Sequence, residues 1–169
     1  PGQRFLCEST APHTGTQVAP SHHHPARRQA LGRNGALILD PPNRADDQRP
    51  RLEDTIQLQE WLRRETLTYP AMPMEGALPN YFTINGKSAP EIPHMVVNQG
   101  DRVRIRLVDV GYSVHPMHLH GKRFTVIAKA GATLASPYQA DTVLLGTGEP
   151  YDLEYVADDP GAWWFPCRT

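Results

Sequence analysis

The sequence predicts an all-β protein built as a Greek-key β-sandwich, and three observations support this fold class. Short segments with a two-residue apolar alternation recur at spacings near ten residues, and no segment has a convincing helical periodicity. The 169 residues include 17 prolines and 13 glycines, which is typical of chains with many turns. Hydrophobic residues make up 39% of the chain, which is enough to form a core.

The predicted strands are clearest after residue 80. Residues 81–87 form a β-rich run that ends in Asn85-Gly86, and this dipeptide is a strong signal for a tight hairpin turn. Segments rich in glycine, proline and asparagine separate the other runs. The remaining predicted strands lie at residues 55–61, 102–108, 123–129, 141–145 and 151–156.

The segment 102–108 alternates between arginine and apolar residues. Val103, Ile105 and Leu107 share one parity and are predicted to face the core. The residues of the other parity are predicted to form a solvated strand face rather than an anion site, and these are Arg102, Arg104 and Arg106.

The composition changes along the chain and excludes some classes of partner. Residues 41–54 are rich in proline and charge and are predicted to be a linker, whereas residues 55–169 hold the regular strands of one domain. The formal net charge of −1 gives no indication of binding to nucleic acid or to an anionic membrane surface. No apolar run approaches the roughly 20 residues that span a bilayer.

Three of the eight histidines fall within six positions, and they are His115, His118 and His120. Successive side chains of a strand point to opposite faces, so His118 and His120 are predicted to share one face and His115 to occupy the other. Neutral imidazole is the commonest metal ligand among side chains. The spacing therefore favours two neighbouring metal sites joined by a short length of backbone.

The run from His115 to Gly121 reads H-P-M-H-L-H-G and resembles the H-P-x-H-L-H-G motif of multicopper oxidases, the laccase-like enzymes. The resemblance implies that His115 ligates a type 1 copper, His118 a type 2 copper and His120 one of a type 3 pair. It also implies that residues 55–169 are a cupredoxin-like Greek-key β-sandwich, truncated at the C-terminal copper motif. A copper nitrite reductase relative, which shares the sandwich, is a less favoured alternative.

The first 40 residues are similar, more loosely, to the end of a preceding cupredoxin domain in the same family. There an H-x-H pair precedes a Gly-Ala-Leu-Ile strand, which is found here from Gly35. His13 fits the second histidine of that pair and is predicted as a further metal ligand, although Ala11 stands where the first would be. The run His22-His23-His24 lies between prolines and is predicted to be a solvated loop.

The end of the chain resembles the stretch of the family in which H-C-H supplies one type 1 and two type 3 ligands. Cys167 keeps the cysteine position, but Pro166 and Arg168 replace the two histidines. Proline has no side-chain donor and arginine stays protonated, so neither can bind copper. The later histidine and the axial methionine of the family are absent after Cys167. The alternatives for Cys167 are a buried strand cysteine or a disulfide with Cys7, and the ligand role is the preferred prediction.

The resemblance implies a copper-dependent oxidoreductase of the laccase type. Its expected partners are a small-molecule reductant (phenols, aromatic amines or metal ions) and O₂, and a homo-oligomer that shares copper sites is a further expectation. The family implies a secreted or periplasmic location, although no signal peptide is present in this sequence. Because several ligands are missing, the isolated chain is expected to have negligible oxidase activity. A non-catalytic copper-binding cupredoxin module is the main alternative.

Overall fold

The computed structural model describes residues 2–11, 13–42 and 49–168. Extended segments dominate these ranges, together with one short helix, α1 (Pro25–Ala30), and a 3₁₀ turn at Pro73–Glu75. The strands are β1 (Gly15–Val18), β2 (Ala36–Leu39), β3 (Leu52–Arg64), β4 (Leu67–Pro70), β5 (Tyr81–Ile84), β6 (Arg102–Asp109), β7 (His115–His118), β8 (Phe124–Lys129), β9 (Ala132–Ala140), β10 (Thr142–Leu145) and β11 (Tyr151–Val156).

Seven strands form the larger sheet in the order β4-β3-β6-β11-β8-β9, with β5 paired to β3 beside this path. Strands β3 and β6 are parallel, and the other pairs in this sheet are antiparallel. A second, small sheet pairs β7 with β10, and β1 pairs with β2 in a third. The non-sequential order is typical of Greek-key connections.

The core lies between the larger sheet and the β7–β10 pair. Val103, Ile105 and Leu107 of β6 are each at most 4% exposed, which confirms the predicted inward face of that strand. Phe124 and Val126 alternate with more exposed residues on β8 and join the same cluster. Met117 of β7 and Leu145 of β10 close the core from the other side. Burial of this apolar surface is the main stabilising contribution to the sandwich.

The prediction that the arginines of β6 face water is wrong for Arg106. Its side chain is 2% exposed, because β1 covers this face of the sheet. The guanidinium donates to Thr16 Oγ1 at 2.7 Å, to Asp152 Oδ2 at 2.7 Å and to Glu53 Oε1 at 2.6 Å. Arg104 is half-buried and pairs with Glu154. A covering strand from another part of the chain leaves no trace in the alternation of β6 itself.

The N-terminal segment also differs from the sequence prediction in two places. Helix α1, which begins with Pro25 in its first turn, was not predicted, because six residues are too few to show a helical period. Residues 52–54 lie inside β3 rather than in the predicted linker 41–54, and residues 43–48 of that linker are outside the described part of the chain. The hairpin predicted at Asn85-Gly86 is present, with both residues at positive φ. No helix in the described ranges has the length and hydropathy needed to cross a membrane.

Candidate metal centre

Strand β7 carries the histidine motif and lies between two neighbours. On one side it pairs with β10, so that His118 is opposite Thr142 and His115 opposite Leu145. On the other side Met117 forms a bridge with Cys167 of the C-terminal segment. The N–H of His118 donates to the Pro166 carbonyl at 3.0 Å. Backbone pairing therefore places Cys167 beside the first histidine of the motif.

His115 and Cys167 are in direct contact. The distance from His115 Nδ1 to Cys167 Sγ is 3.4 Å. Ligands bound to one tetrahedral metal at about 2.0 Å (nitrogen) and about 2.3 Å (sulfur) lie roughly 3.5 Å apart. The two atoms are thus spaced as two ligands of a single ion. In the described ranges no disulfide joins Cys7 to Cys167.

His118, the last residue of β7, and His120, in the turn that follows, form a second group. Their ring centroids are 5.8 Å apart, with the rings nearly perpendicular. The N–H at His118 Nδ1 donates to the carbonyl of Asp141 at 2.9 Å, and Thr142 Oγ1 lies 3.0 Å from the same nitrogen. A carbonyl only accepts, so Nδ1 carries the proton and Nε2 keeps a free lone pair for a metal.

The other histidines predicted from the sequence are exposed and apart from these groups. His13 lies just before β1, and within the described ranges no contact joins its ring to the other predicted ligands. His22, His23 and His24 are exposed at the start of α1, which agrees with the predicted solvated segment. The structure thus brings together four of the five predicted ligands in two groups, and leaves His13 outside both.

Comparison with known proteins identifies the family of this arrangement. The multicopper oxidase family model matches residues 63–169, which is more than half of the chain. The chain belongs to the multicopper oxidase family. Copper, the cofactor predicted from the histidine motif, is the metal that this family uses.

Individual multicopper oxidases resemble the chain over part of their length. The blue copper oxidase from Nitrosomonas europaea superposes with a TM-score of 0.79 and 32% identity, covering 90% of this chain and 49% of that one. Laccase-5 of Trametes villosa is 28% identical over 125 residues, which is 64% of this chain and 23% of the relative. The iron multicopper oxidase fer1 of Mycosarcoma maydis is 29% identical over 107 residues, 55% of this chain and 16% of the relative.

The comparisons confirm the predicted fold class, an all-β cupredoxin-like Greek-key sandwich. They also show that the chain spans about half of the Nitrosomonas enzyme and less than a quarter of these two curated relatives. The donor chemistry agrees with copper at both groups, because imidazole and thiolate are ligands that suit this metal. Pro166 and Arg168, which flank Cys167, are exposed, and neither side chain has an atom that can bind a metal ion.

Two buried carboxylates beside His115 were not predicted from the sequence. Glu60 Oε2 lies 3.5 Å from His115 Nε2, on the side of the ring away from Cys167. Asp109, at the end of β6, is fully buried and belongs to the same cluster. A signal for both was present: Glu60 has the parity of Ile56 and Leu58 on β3, so it occupies an inward position of its strand. Asp109 likewise has the parity of Val103, Ile105 and Leu107, the residues of β6 that face the core.

The cluster changes the proton affinity of its members. Burial raises the pKa of Asp109 to about 6, against the lowering effects of the Gly111 N–H and of His115. The hydrogen bond with Glu60 raises the pKa of His115 above its usual value. Burial alone would raise the pKa of Glu60, but hydrogen bonds from His115, Tyr112 and Ser113 bring it below the usual value. Around neutral pH these shifts favour an ionised Glu60 beside His115.

Proposed function

We propose that this chain supplies copper ligands to a laccase-type oxidase. Copper held there would take single electrons from phenols, aromatic amines or metal ions and pass four of them to O₂, which with four protons gives two molecules of water. The relatives support this class, since they include laccases and an iron multicopper oxidase. Phenols or aromatic amines are the proposed reductants for this chain.

The contact between His115 Nδ1 and Cys167 Sγ carries the proposal. A thiolate and an imidazole within 3.4 Å are two of the three strong ligands of a blue-copper site. His118, at the end of β7, and His120, in the turn after it, lie next to each other with ring centroids 5.8 Å apart. The two groups are linked by backbone through Pro116 and Met117, and across the bridge between Met117 and Cys167.

The chain's own residues orient these ligands. The Asp141 carbonyl fixes the ring of His118 and leaves its Nε2 free, and Glu60 contacts the ring of His115 from the side opposite to Cys167. Partners that orient a ligating histidine in this way support metal affinity. The sandwich core behind β7 keeps the backbone of both groups in place.

We further propose that the remaining ligands come from another domain or from a second copy of the chain. Pro166 and Arg168 cannot replace histidines, and a second histidine for the His115–Cys167 group is not found beside it in the described ranges. Negligible oxidase activity is therefore expected for the isolated chain. The proposed location, secreted or periplasmic, follows the laccase-like relatives.

The second candidate function is a copper-binding module without turnover. The replacement of both histidines beside Cys167 favours this module. Neither neighbour of Cys167 can bind a type 3 copper, so no chain of bonded atoms leads from Cys167 through an adjacent ligand to that pair. Such a module would bind copper at His115 and Cys167, or at His118 and His120, and would not reduce O₂.

Copper loading of the full chain tests the proposed ligands. We expect a visible thiolate-to-copper absorption band that is lost in the Cys167→Ser and His115→Ala variants. Cys7→Ser is the matched control, because Cys7 is an exposed thiol, and it should keep the band. A band that survives Cys167→Ser would contradict the assignment. Rapid oxygen consumption with a phenol by the isolated chain would contradict both the module and the expectation that the remaining ligands come from elsewhere.

A further inference from the structure

A cluster of three buried side chains lies behind the ring of His115, away from Cys167. Glu60, Asp109 and His115 are 2%, 0% and 6% exposed. One oxygen of each carboxylate and a ring nitrogen of the histidine all lie within 4.8 Å of one another. The cluster joins β3, the end of β6 and the start of β7, and these three elements are distant in sequence.

Backbone N–H groups hold each carboxylate by one oxygen. Glu60 Oε1 accepts from the N–H groups of Tyr112 and Ser113, both at 2.5 Å. Asp109 Oδ1 accepts from the N–H of Gly111 at 2.8 Å. The second oxygens have no comparable donor: Glu60 Oε2 has His115 Nε2 at 3.5 Å, and Asp109 Oδ2 has no hydrogen-bond partner among the described residues. A buried oxygen without a partner is costly, so it needs an explanation.

The positive charge near this cluster is small. Among the described residues the ion pairs of lysine and arginine involve neither Glu60 nor Asp109. A single imidazole is the cationic partner of two buried carboxylates. The distance of 3.5 Å from Nε2 to Oε2 is long for a hydrogen bond. It agrees with the spacing of about 3.4 Å between two ligands at about 2.05 Å from a tetrahedral ion.

Gly111 leaves room for the Glu60 carboxylate. A Cβ built on Gly111 would lie 1.8 Å from Glu60 Oε2 and 2.7 Å from Oε1. Gly111 has no positive φ, so its backbone conformation does not require glycine. The lack of a side chain is needed because Glu60 fills the space where a Cβ would lie. The loop that follows β6 is thus shaped around this carboxylate.

We propose that Glu60, Asp109 and His115 bind a divalent cation of the zinc class through one oxygen of each carboxylate and through Nε2 of the histidine. One nitrogen and two oxygens are a donor set that Zn²⁺ accepts, with a fourth position for water. The ion neutralises the two carboxylates and fixes the ring of His115 so that Nδ1 faces Cys167. With a second metal on the Cys167 side, both ring nitrogens of His115 would be needed as ligands, Nε2 on the carboxylate side and Nδ1 on the Cys167 side, and the neutral ring would release its proton to solvent.

Cobalt, used as Co²⁺ on the full chain, is the probe, because its d–d absorption reports the ligand set. Exposed histidines will also bind Co²⁺, so the informative quantity is the difference in bound metal between variants after equilibrium dialysis. We expect Asp109→Asn and Glu60→Gln each to lose one equivalent of bound Co²⁺ relative to the unmodified chain. Asp54→Asn, an exposed carboxyl on the same strand as Glu60, is the matched control and should lose none.

The Cys167→Ser variant separates this proposal from the proposed copper function. We expect it to lose the copper–thiolate band and yet to keep the Co²⁺ equivalent that depends on Asp109. Equal Co²⁺ binding by the unmodified chain and by both carboxylate variants would overturn the site. Loss of that equivalent in Cys167→Ser, together with a cobalt–thiolate charge-transfer band in the unmodified chain, would also overturn it, because the ion would then belong to the Cys167 side. Circular dichroism of each variant checks that it is folded.

Discussion

Two buried charged clusters lie on the same strand, β6, and they are stabilised in different ways. The arginine cluster consists of Arg106 with Thr16, Glu53 and Asp152, on the face that β1 covers. The carboxylate cluster consists of Glu60, Asp109 and His115, on the core side at the end of the strand. Asp40 Oδ1, 3.3 Å from Arg106 Nη2, also belongs to the arginine cluster, which therefore contains three carboxylates against two in the carboxylate cluster. Each cluster joins segments that are far apart in the sequence.

The difference lies in the cation. Arg106 is permanently charged and presents a fork of N–H donors, and Thr16 adds a hydrogen bond to Asp152 at 2.6 Å. The carboxylate cluster has only a titratable imidazole, and Asp109 Oδ2 remains without a partner in the described part of the chain. Burial raises the pKa of Asp152, but Thr16 and Arg106 act against that rise, whereas the cation beside Asp109 is a titratable imidazole.

Removal of the permanent cation is expected to have the largest effect. Arg106→Met leaves Asp152, which is 5% exposed, without its cation, and breaking a buried pair in this way costs about 3–5 kcal/mol. The free energy of unfolding from urea denaturation measures the loss. Arg64→Met, at the exposed end of β3, is the control and should change stability by less than about 0.5 kcal/mol.

A small effect of Arg106→Met would mean that β1 does not cover Arg106 in solution. The N-terminal segment would then leave the sheet, and the carboxylates would reach water. Limited proteolysis of the variant within residues 15–39 gives an independent reading, since detachment of β1 and β2 from the larger sheet makes these strands easier to cleave.

The carboxylate cluster is expected to make stability fall with rising pH in metal-free buffer. The folded pKa of Asp109 is about 6, against an ordinary value of 3.8, so the folded state holds this proton more tightly than the unfolded chain. Its contribution is complete below pH 3.8 and is lost as the pH rises through about 6. The loss is on the order of 3 kcal/mol, since one pKa unit corresponds to about 1.4 kcal/mol. The raised pKa of His115 acts in the same direction, and the lowered pKa of Glu60 opposes it at lower pH.

Asp109→Asn isolates this contribution from the other titrating groups. The variant lacks the carboxyl, so the difference in unfolding free energy between it and the unmodified chain should change from pH 4 to pH 7 in the presence of EDTA. Asp54→Asn is measured alongside as the control for the change in residue type. A difference that stays constant with pH would show that Asp109 is not the buried acid of this cluster.

The strands and the core of the sandwich could be predicted because they depend on local alternation. Val103, Ile105 and Leu107 are buried as their parity predicts, and the Asn85-Gly86 turn follows from the backbone conformations that these residues tolerate. The same period of two predicts that His115 and His118, at the two ends of β7, have opposite parity. In each case one segment contains all of the information.

The features that were missed depend on contacts between distant segments. Arg106 alternates like a solvated residue, and only the position of β1 explains its burial. Glu60 and Asp109 lie at inward positions of strands otherwise predicted correctly, but parity alone does not show that they meet beside His115. Glu60 and Asp109 are 49 positions apart in the sequence. The parallel pairing of β3 with β6 brings them close together in space, because Leu58 lies opposite Asp109.

Gly111→Ala is expected to have a smaller effect that is confined to the carboxylate cluster. The new Cβ would lie 1.8 Å from Glu60 Oε2, so the carboxylate must move and its hydrogen bonds from Tyr112 and Ser113 weaken. Forcing extra volume into a packed site costs about 1–3 kcal/mol. Gly146→Ala is the matched control, because a Cβ there meets nothing closer than 3.7 Å. If both alanine variants unfold at the same urea concentration, Glu60 does not occupy the space beside Gly111. The Glu60 carboxylate would then not be held by the loop after β6, and the difference between the two clusters would need another explanation.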